Sequence, residues 1–105
     1  MKKITEKQKQ KEKERKAFNA MLLSTFMDIW HERDHNSEIS RRWLGKEPLT
    51  VFFHHILPKS KYPDAAFDKD NIILVTFEEH QKVEQDPSFY EEVNNRREQL
   101  MKKYG

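Results

Sequence analysis

The chain has 105 residues, enough for one domain with a modest core; 35% of them are hydrophobic, 36% are charged, and the formal net charge is +2. It has no cysteine, which excludes disulfides and a cysteine-ligated structural zinc and suits a reducing compartment. No apolar run approaches the roughly 20 residues of a membrane span, and the start lacks the apolar segment of a secretion signal, so no membrane partner and a cytoplasmic setting are expected.

Residues 1–17 read as a basic helical arm. Eight Lys or Arg stand against three Glu over residues 1–16, so the rest of the chain is slightly acidic. The arm has helix-forming residues but almost no apolar face, and is expected to fray or to continue a helix that starts deeper in. Such an arm is compatible with a polyanionic partner and with self-association. Residues 18–105 form the body. Phe18, Leu22, Phe26 and Ile29 recur every three or four positions, with Met21 and Trp30 widening the stripe. This predicts an amphipathic helix that ends near "HERDHNS". His31 and His35 are expected on the surface, and Trp30 and Trp43 in packing roles.

Gly45 and Pro48 mark a turn, and "VFFHHI" then reads as a strand that Pro58 ends. "PKSKYPDAAFDKD" is a loop, and "NIILVTF" a second strand. "EEHQKVE" begins a helix with Thr76 as N-cap. A last helix is expected over 87–103, with Asp86 as N-cap, Pro87 at its first position, and Phe89, Val93, Leu100 and Tyr104 along one face.

The chemistry concentrates in the middle. His54 and His55 end the first strand, Asn71 opens the second, and His80 lies early in the helix; a helix packed across the hairpin brings them together. Glu84 is one helical turn beyond His80 on the same face. Two imidazoles and a carboxylate suit a divalent metal. Adjacent strand residues point to opposite faces, so His54 and His55 can serve one site only if the backbone turns or the rings flank the ligand from two sides.

"HHILPKS…DKDNIILVTFEEH" resembles the HNH nuclease motif, over roughly residues 37–84. The resemblance implies an α+β fold. Its core would be a ββα-metal hairpin and helix, flanked by a long N-terminal helix and a C-terminal helix. It also implies metal-dependent hydrolysis of DNA phosphodiester bonds. His54 and His80 would be metal ligands, with Glu84 a third ligand as in colicin-like members. His55 would be the general base and Asn71 the residue that orients it. One divalent ion is implied, Mg²⁺ or Mn²⁺, with Zn²⁺ and Ni²⁺ as alternatives. Arg41, Arg42, Lys59 and Lys61 lie near the motif and are expected to contact backbone phosphates.

Many relatives carry a second, structural zinc on two Cys-x-x-Cys pairs. Here Ser37 and Ser40 have the spacing of the first pair, and Thr76 and Glu79 that of the second, so no structural zinc is expected. Small HNH proteins of this kind are frequent in phages and mobile elements, which would place a phage-encoded one in the host cytoplasm. The alternative to a nuclease is a catalytically silent nucleic-acid-binding protein that keeps the fold as an accessory to phage packaging or recombination.

Overall fold

A computed structural model describes residues 5–105; Lys2 and Lys3 of the basic arm lie outside them. Thr5 caps α1 (Glu6–Glu32) through a reciprocal box, its hydroxyl accepting the Gln8 N–H while the Gln8 side chain accepts its own. Arm and body share this one unbroken helix. It is almost wholly exposed up to Phe18, after which Leu22, Phe26, Ile29 and Trp30 are buried. Met21 departs from the expected stripe and is 57% exposed.

Both strands are shorter than their apolar runs predict. Thr50–Phe52 forms a 3₁₀ turn ahead of β1 (Phe53–His55), and Lys69–Asn71 forms another ahead of β2 (Ile72–Leu74), so Asn71 closes a turn rather than opening the strand. The strands pair antiparallel, with Phe53 opposite Leu74, His54 opposite Ile73 and His55 opposite Ile72. Thr76 caps α2 (Phe77–Gln85) as expected, in a second reciprocal box with Glu79.

The last helix, α3 (Glu91–Tyr104), starts a turn later than predicted. Asp86 ends α2 instead of capping α3, because its carboxylate takes the Ser88 N–H and hydroxyl and closes a local turn. Phe89 therefore falls outside α3 and is exposed, while Val93 and Leu100 are buried. Trp43 is also exposed, at 68%. His35 is half-buried rather than free in solvent: its ring stacks on Trp30 at 3.9 Å and its Nε2 bonds the Trp30 carbonyl.

The result is a mixed α+β architecture, three helices around a two-stranded sheet, in which the pleat sorts the core into two layers. Phe53, Ile72 and Leu74 pack against the Leu22, Phe26, Ile29 and Trp30 stripe of α1, with Phe26 stacked on Phe53 at 4.4 Å. Ile73, Val75 and Ile56 face the other way, against Val83 of α2 and Val93 and Leu100 of α3. The outer edge of β2 is closed by side chains. Glu38 exchanges hydrogen bonds with the Leu74 backbone, and Arg33 donates to the Ile72 carbonyl and to Glu38. Arg96 of α3 joins Glu38 from above. This leaves β1 as the open edge.

Two further polar nodes tie distant segments together. Asp68 accepts from Lys103 and Tyr104 at the end of α3 and from the Asp70 N–H. Burial works to raise its pKa, but these donors outweigh it and hold the carboxyl below the usual range. The second node joins the four residues that have zinc-pair spacing. The Ser37 hydroxyl, fully buried, donates to Glu79 at 2.6 Å and accepts the N–H groups of Ile39 and Ser40. Glu79 also takes the Thr76 N–H, and hydrogen bonds from Ser37, Thr76 and Ser40 hold its carboxyl low against the opposing effect of burial. The side chains of Ser37, Ser40 and Thr76 thus gather around the carboxylate of Glu79. Among the described residues every buried side-chain polar atom has a hydrogen-bond partner.

Ser37→Ala removes a donor from a buried carboxylate and should cost about 1–3 kcal/mol in urea unfolding, while EDTA should leave the helical circular dichroism of the wild type intact; a collapse of that signal on chelation would show that a metal holds the node. Asp68 has a folded pKa below its unfolded value of about 3.9, so its contribution is present above that pH and disappears as pH falls through the folded value. Asp68→Asn should accordingly melt lower at pH 7 yet lose less further stability than the wild type between about pH 4 and 2; parallel acid profiles for the two would contradict the assignment.

Candidate active site

The open edge of β1 lies in a cleft of about 800 Å³, walled by Leu22, Leu23 and Phe26 of α1 on one side and by His80, Val83 and Glu84 of α2 on the other. The alternation of the strand decides how the two adjacent histidines reach it. His54 shares its face with the layer under α2, and its ring meets that of His80 edge-on, with centroids 5.1 Å apart. His55 lies on the α1 face, its ring 5.9 Å from that of Phe26. Both line the cleft, so they flank it from opposite faces of one thin sheet without a break in the strand.

The rings differ in which nitrogen carries the proton, and backbone carbonyls decide this. His80 Nδ1 lies 2.6 Å from the Val51 carbonyl. A carbonyl only accepts, so Nδ1 holds a hydrogen. Nε2 faces Glu84, whose Oε1 is 3.2 Å away. A ring nitrogen and a carboxylate oxygen this close require a positive charge between them, a proton on Nε2 or a cation. In His55 the order is reversed. Nε2 lies 2.9 Å from the Ala66 carbonyl and donates to it, which leaves Nδ1 as the basic atom.

Asn71 does not touch His55. It is fully buried, accepts the Leu57 N–H at 2.7 Å, and donates to the carbonyls of Leu57 and Ala65, each at 3.1 Å. The expected direct contact is replaced by an indirect one: Asn71 clamps both ends of the 57–65 loop, and the next carbonyl along, that of Ala66, holds the ring.

Burial and neighbouring charge lower the pKa values of His54 and His55. Burial, followed by the charges of His80, His55 and Arg97, pushes His54 down to about 4. Burial also lowers His55, with help from Lys59 and His80 and against the Ala66 hydrogen bond. At pH 7 both present lone pairs.

Of the expected phosphate contacts, Lys59 lines the cleft, whereas Arg41, Arg42 and Lys61 are exposed and lie outside its lining. Arg41 instead occupies the left-handed backbone position (φ +68°) of the turn after Ser40. Among the described residues His80 and Glu84 stand as a ligand pair with the His54 ring beside them, but three ligand groups around one point are not preformed. The donor set fits a divalent cation in kind: imidazole nitrogens and a carboxylate. Sequence reasoning missed Arg97 of α3, which also lines the cleft. Nothing in a helix rich in Lys, Arg and Glu distinguishes it. Among the described residues no helix is long and apolar enough to cross a membrane. No protein-family model, curated protein or solved structure matches the chain.

Long-range ¹H–¹⁵N spectra of the imidazoles at pH 7 should show His80 protonated at Nδ1 and His55 at Nε2. The opposite tautomer at either ring would remove the corresponding carbonyl contact from the site.

Proposed function

We propose that the chain is a divalent-metal-dependent endonuclease of the HNH type that hydrolyses DNA phosphodiester bonds. The observation that carries this reading is the pair of oppositely oriented imidazoles in one cleft. His80 turns Nε2 toward a carboxylate, as a metal ligand needs, and His55 keeps Nδ1 as a base. The strand–strand–helix order of β1, β2 and α2 and the meeting of Ser37, Ser40, Thr76 and Glu79 support the ββα-metal arrangement. The latter replaces a structural zinc with hydrogen bonds.

In this reading His54, His80 and Glu84 hold the ion, which supplies positive charge against the phosphate oxygens when bound. His55 Nδ1 takes a proton from water as its oxygen attacks phosphorus, and the P–O bond to the leaving sugar oxygen breaks. The Ala66 carbonyl bonds the far nitrogen of the ring and steadies the imidazolium that forms. Asn71 keeps that carbonyl in place through the loop. Lys59, on the His55 side of the cleft, adds charge for the DNA backbone. The apolar wall from α1 limits water around the reacting atoms.

Supercoiled plasmid with Mg²⁺, Mn²⁺, Ni²⁺ or Zn²⁺ should be nicked by the wild type, and the nicking should stop with EDTA. His55→Ala should lower the rate by about 10²–10⁴-fold, with His54→Ala and His80→Ala also raising the metal concentration required. Equal nicking by wild type and His55→Ala would refute the base assignment. DNA binding by the wild type without nicking under any of these metals would favour the silent accessory protein.

A further inference from the structure

The register of α3 is fixed by Val93 and Leu100, both buried. Arg97 lies four residues after the first and three before the second, so it rises from the core-facing side of the helix into the cleft. Its neighbour Arg96 is paired with carboxylates, Glu38 and Glu92. Arg97 is treated differently. Its guanidinium is held by two neutral acceptors, Asn94 Oδ1 at 2.8 Å and the Pro87 carbonyl at 2.6 Å. Among the described residues it forms no ion pair. A half-buried guanidinium thus enters the cleft on the His54 side with its orientation fixed, its charge uncompensated and part of its N–H fork unused. Glu84, the carboxylate of the lining, is turned to His80. The position calls for an anion, and the planar fork suits the oxygens of a phosphate.

We propose that Arg97 is a phosphate-binding residue of the cleft, which grips a non-bridging oxygen of the nucleic-acid strand laid across the histidines. The proposal rests on the nuclease reading of the cleft for its substrate, but binding needs neither metal nor turnover. Lys59 and Arg97 then hold the backbone from the two sides of the sheet, one beside His55 and the other beside His54. Asn94 and the Pro87 carbonyl act as positioning groups for the guanidinium.

The test is fluorescence anisotropy of a labelled DNA duplex with the full chain in EDTA, repeated between about 50 and 200 mM salt. Arg97→Gln should weaken binding about 5–10-fold and reduce the slope of log K against log salt by about one. Arg97→Lys keeps the charge without the fork and should keep the slope while losing affinity. Asn94→Ala, which releases the guanidinium, should behave like Arg97→Lys. Inorganic phosphate at millimolar concentration should compete with the duplex less well for Arg97→Gln than for the wild type. Circular dichroism melts confirm that each variant is folded, and Arg97→Lys carries the test if Arg97→Gln is not. Wild-type affinity and slope in Arg97→Gln, or wild-type affinity in Arg97→Lys, would overturn the proposal. Failure here is separable from failure of the nuclease reading. A wild type that nicks while Arg97→Gln binds normally removes the clamp alone, and a wild type that never nicks while Arg97→Gln loses affinity and slope removes the nuclease alone.

Discussion

The whole arrangement depends on a sheet of two three-residue strands, which has no stability of its own in water. It survives because both faces are covered by separate layers, α1 on one side and α2 with α3 on the other, so the strand residues except the two histidines are almost fully buried. One edge is sealed as well, since Arg33 and Glu38 take up the outward backbone groups of β2. The remaining edge is that of β1, and the cleft opens there. With the sheet one strand thick at this point, its two faces are only a side chain apart. The alternation that ought to separate His54 from His55 instead places one on each wall of a single opening. A wider sheet would have buried one of them.

Within that opening the backbone does more than the side chains to set the chemistry. Val51 lies in the 3₁₀ turn that replaces the start of the predicted strand, and its carbonyl selects the tautomer of His80. The Ala66 carbonyl, at the end of another short turn, selects that of His55. Asn71 then explains itself. A buried carboxamide with three backbone hydrogen bonds fixes the loop between β1 and Ala66, and so fixes the His55 ring from a distance. Burial and nearby cations lower the pKa values of His54 and His55, so these two rings offer lone pairs at neutral pH.

Much of this was legible in the sequence because it rests on periodicity. The stripe of Phe18, Leu22, Phe26, Ile29 and Trp30 and the Thr76 cap are local signals that the structure follows, and both strands form inside their apolar segments although shorter than them. The grouping of His54, His55 and His80 along one cleft was also foreseeable from the strand–loop–strand–helix order. What escaped was of two kinds. Asp86 has all the local marks of an N-cap before Pro87, yet its carboxylate closes a turn with Ser88 while Tyr90 leads into α3, a choice between two equally local bonds that packing decides. The other misses involve backbone acceptors and long-range partners. The Val51 and Ala66 carbonyls have no sequence signature, and Arg97 differs from Arg96 only in what surrounds it. Trp43 was expected to pack because it is large and apolar, but it sits across a bridge from Asn36 in a hairpin whose inner side is already occupied by Ser37 and Leu44.

A chain this polar must also answer how it holds itself together. Four nodes do so, centred on Glu38, Asp68, Asn71 and Glu79, and each joins segments far apart in sequence through hydrogen bonds that leave no buried group unpaired. A buried polar node adds little to stability over apolar packing, but it strongly penalises any arrangement in which its members are apart. That is the property a small scaffold needs to hold one arrangement. The Glu79 node fixes the start of α2 to the turn at Ser37, and α2 carries His80 in the next position. The position of His80 against Val51 therefore depends on Ser37, forty-three residues earlier. A structural zinc at this place would do the same work with four cysteines. Hydrogen bonds around one carboxylate do it without them.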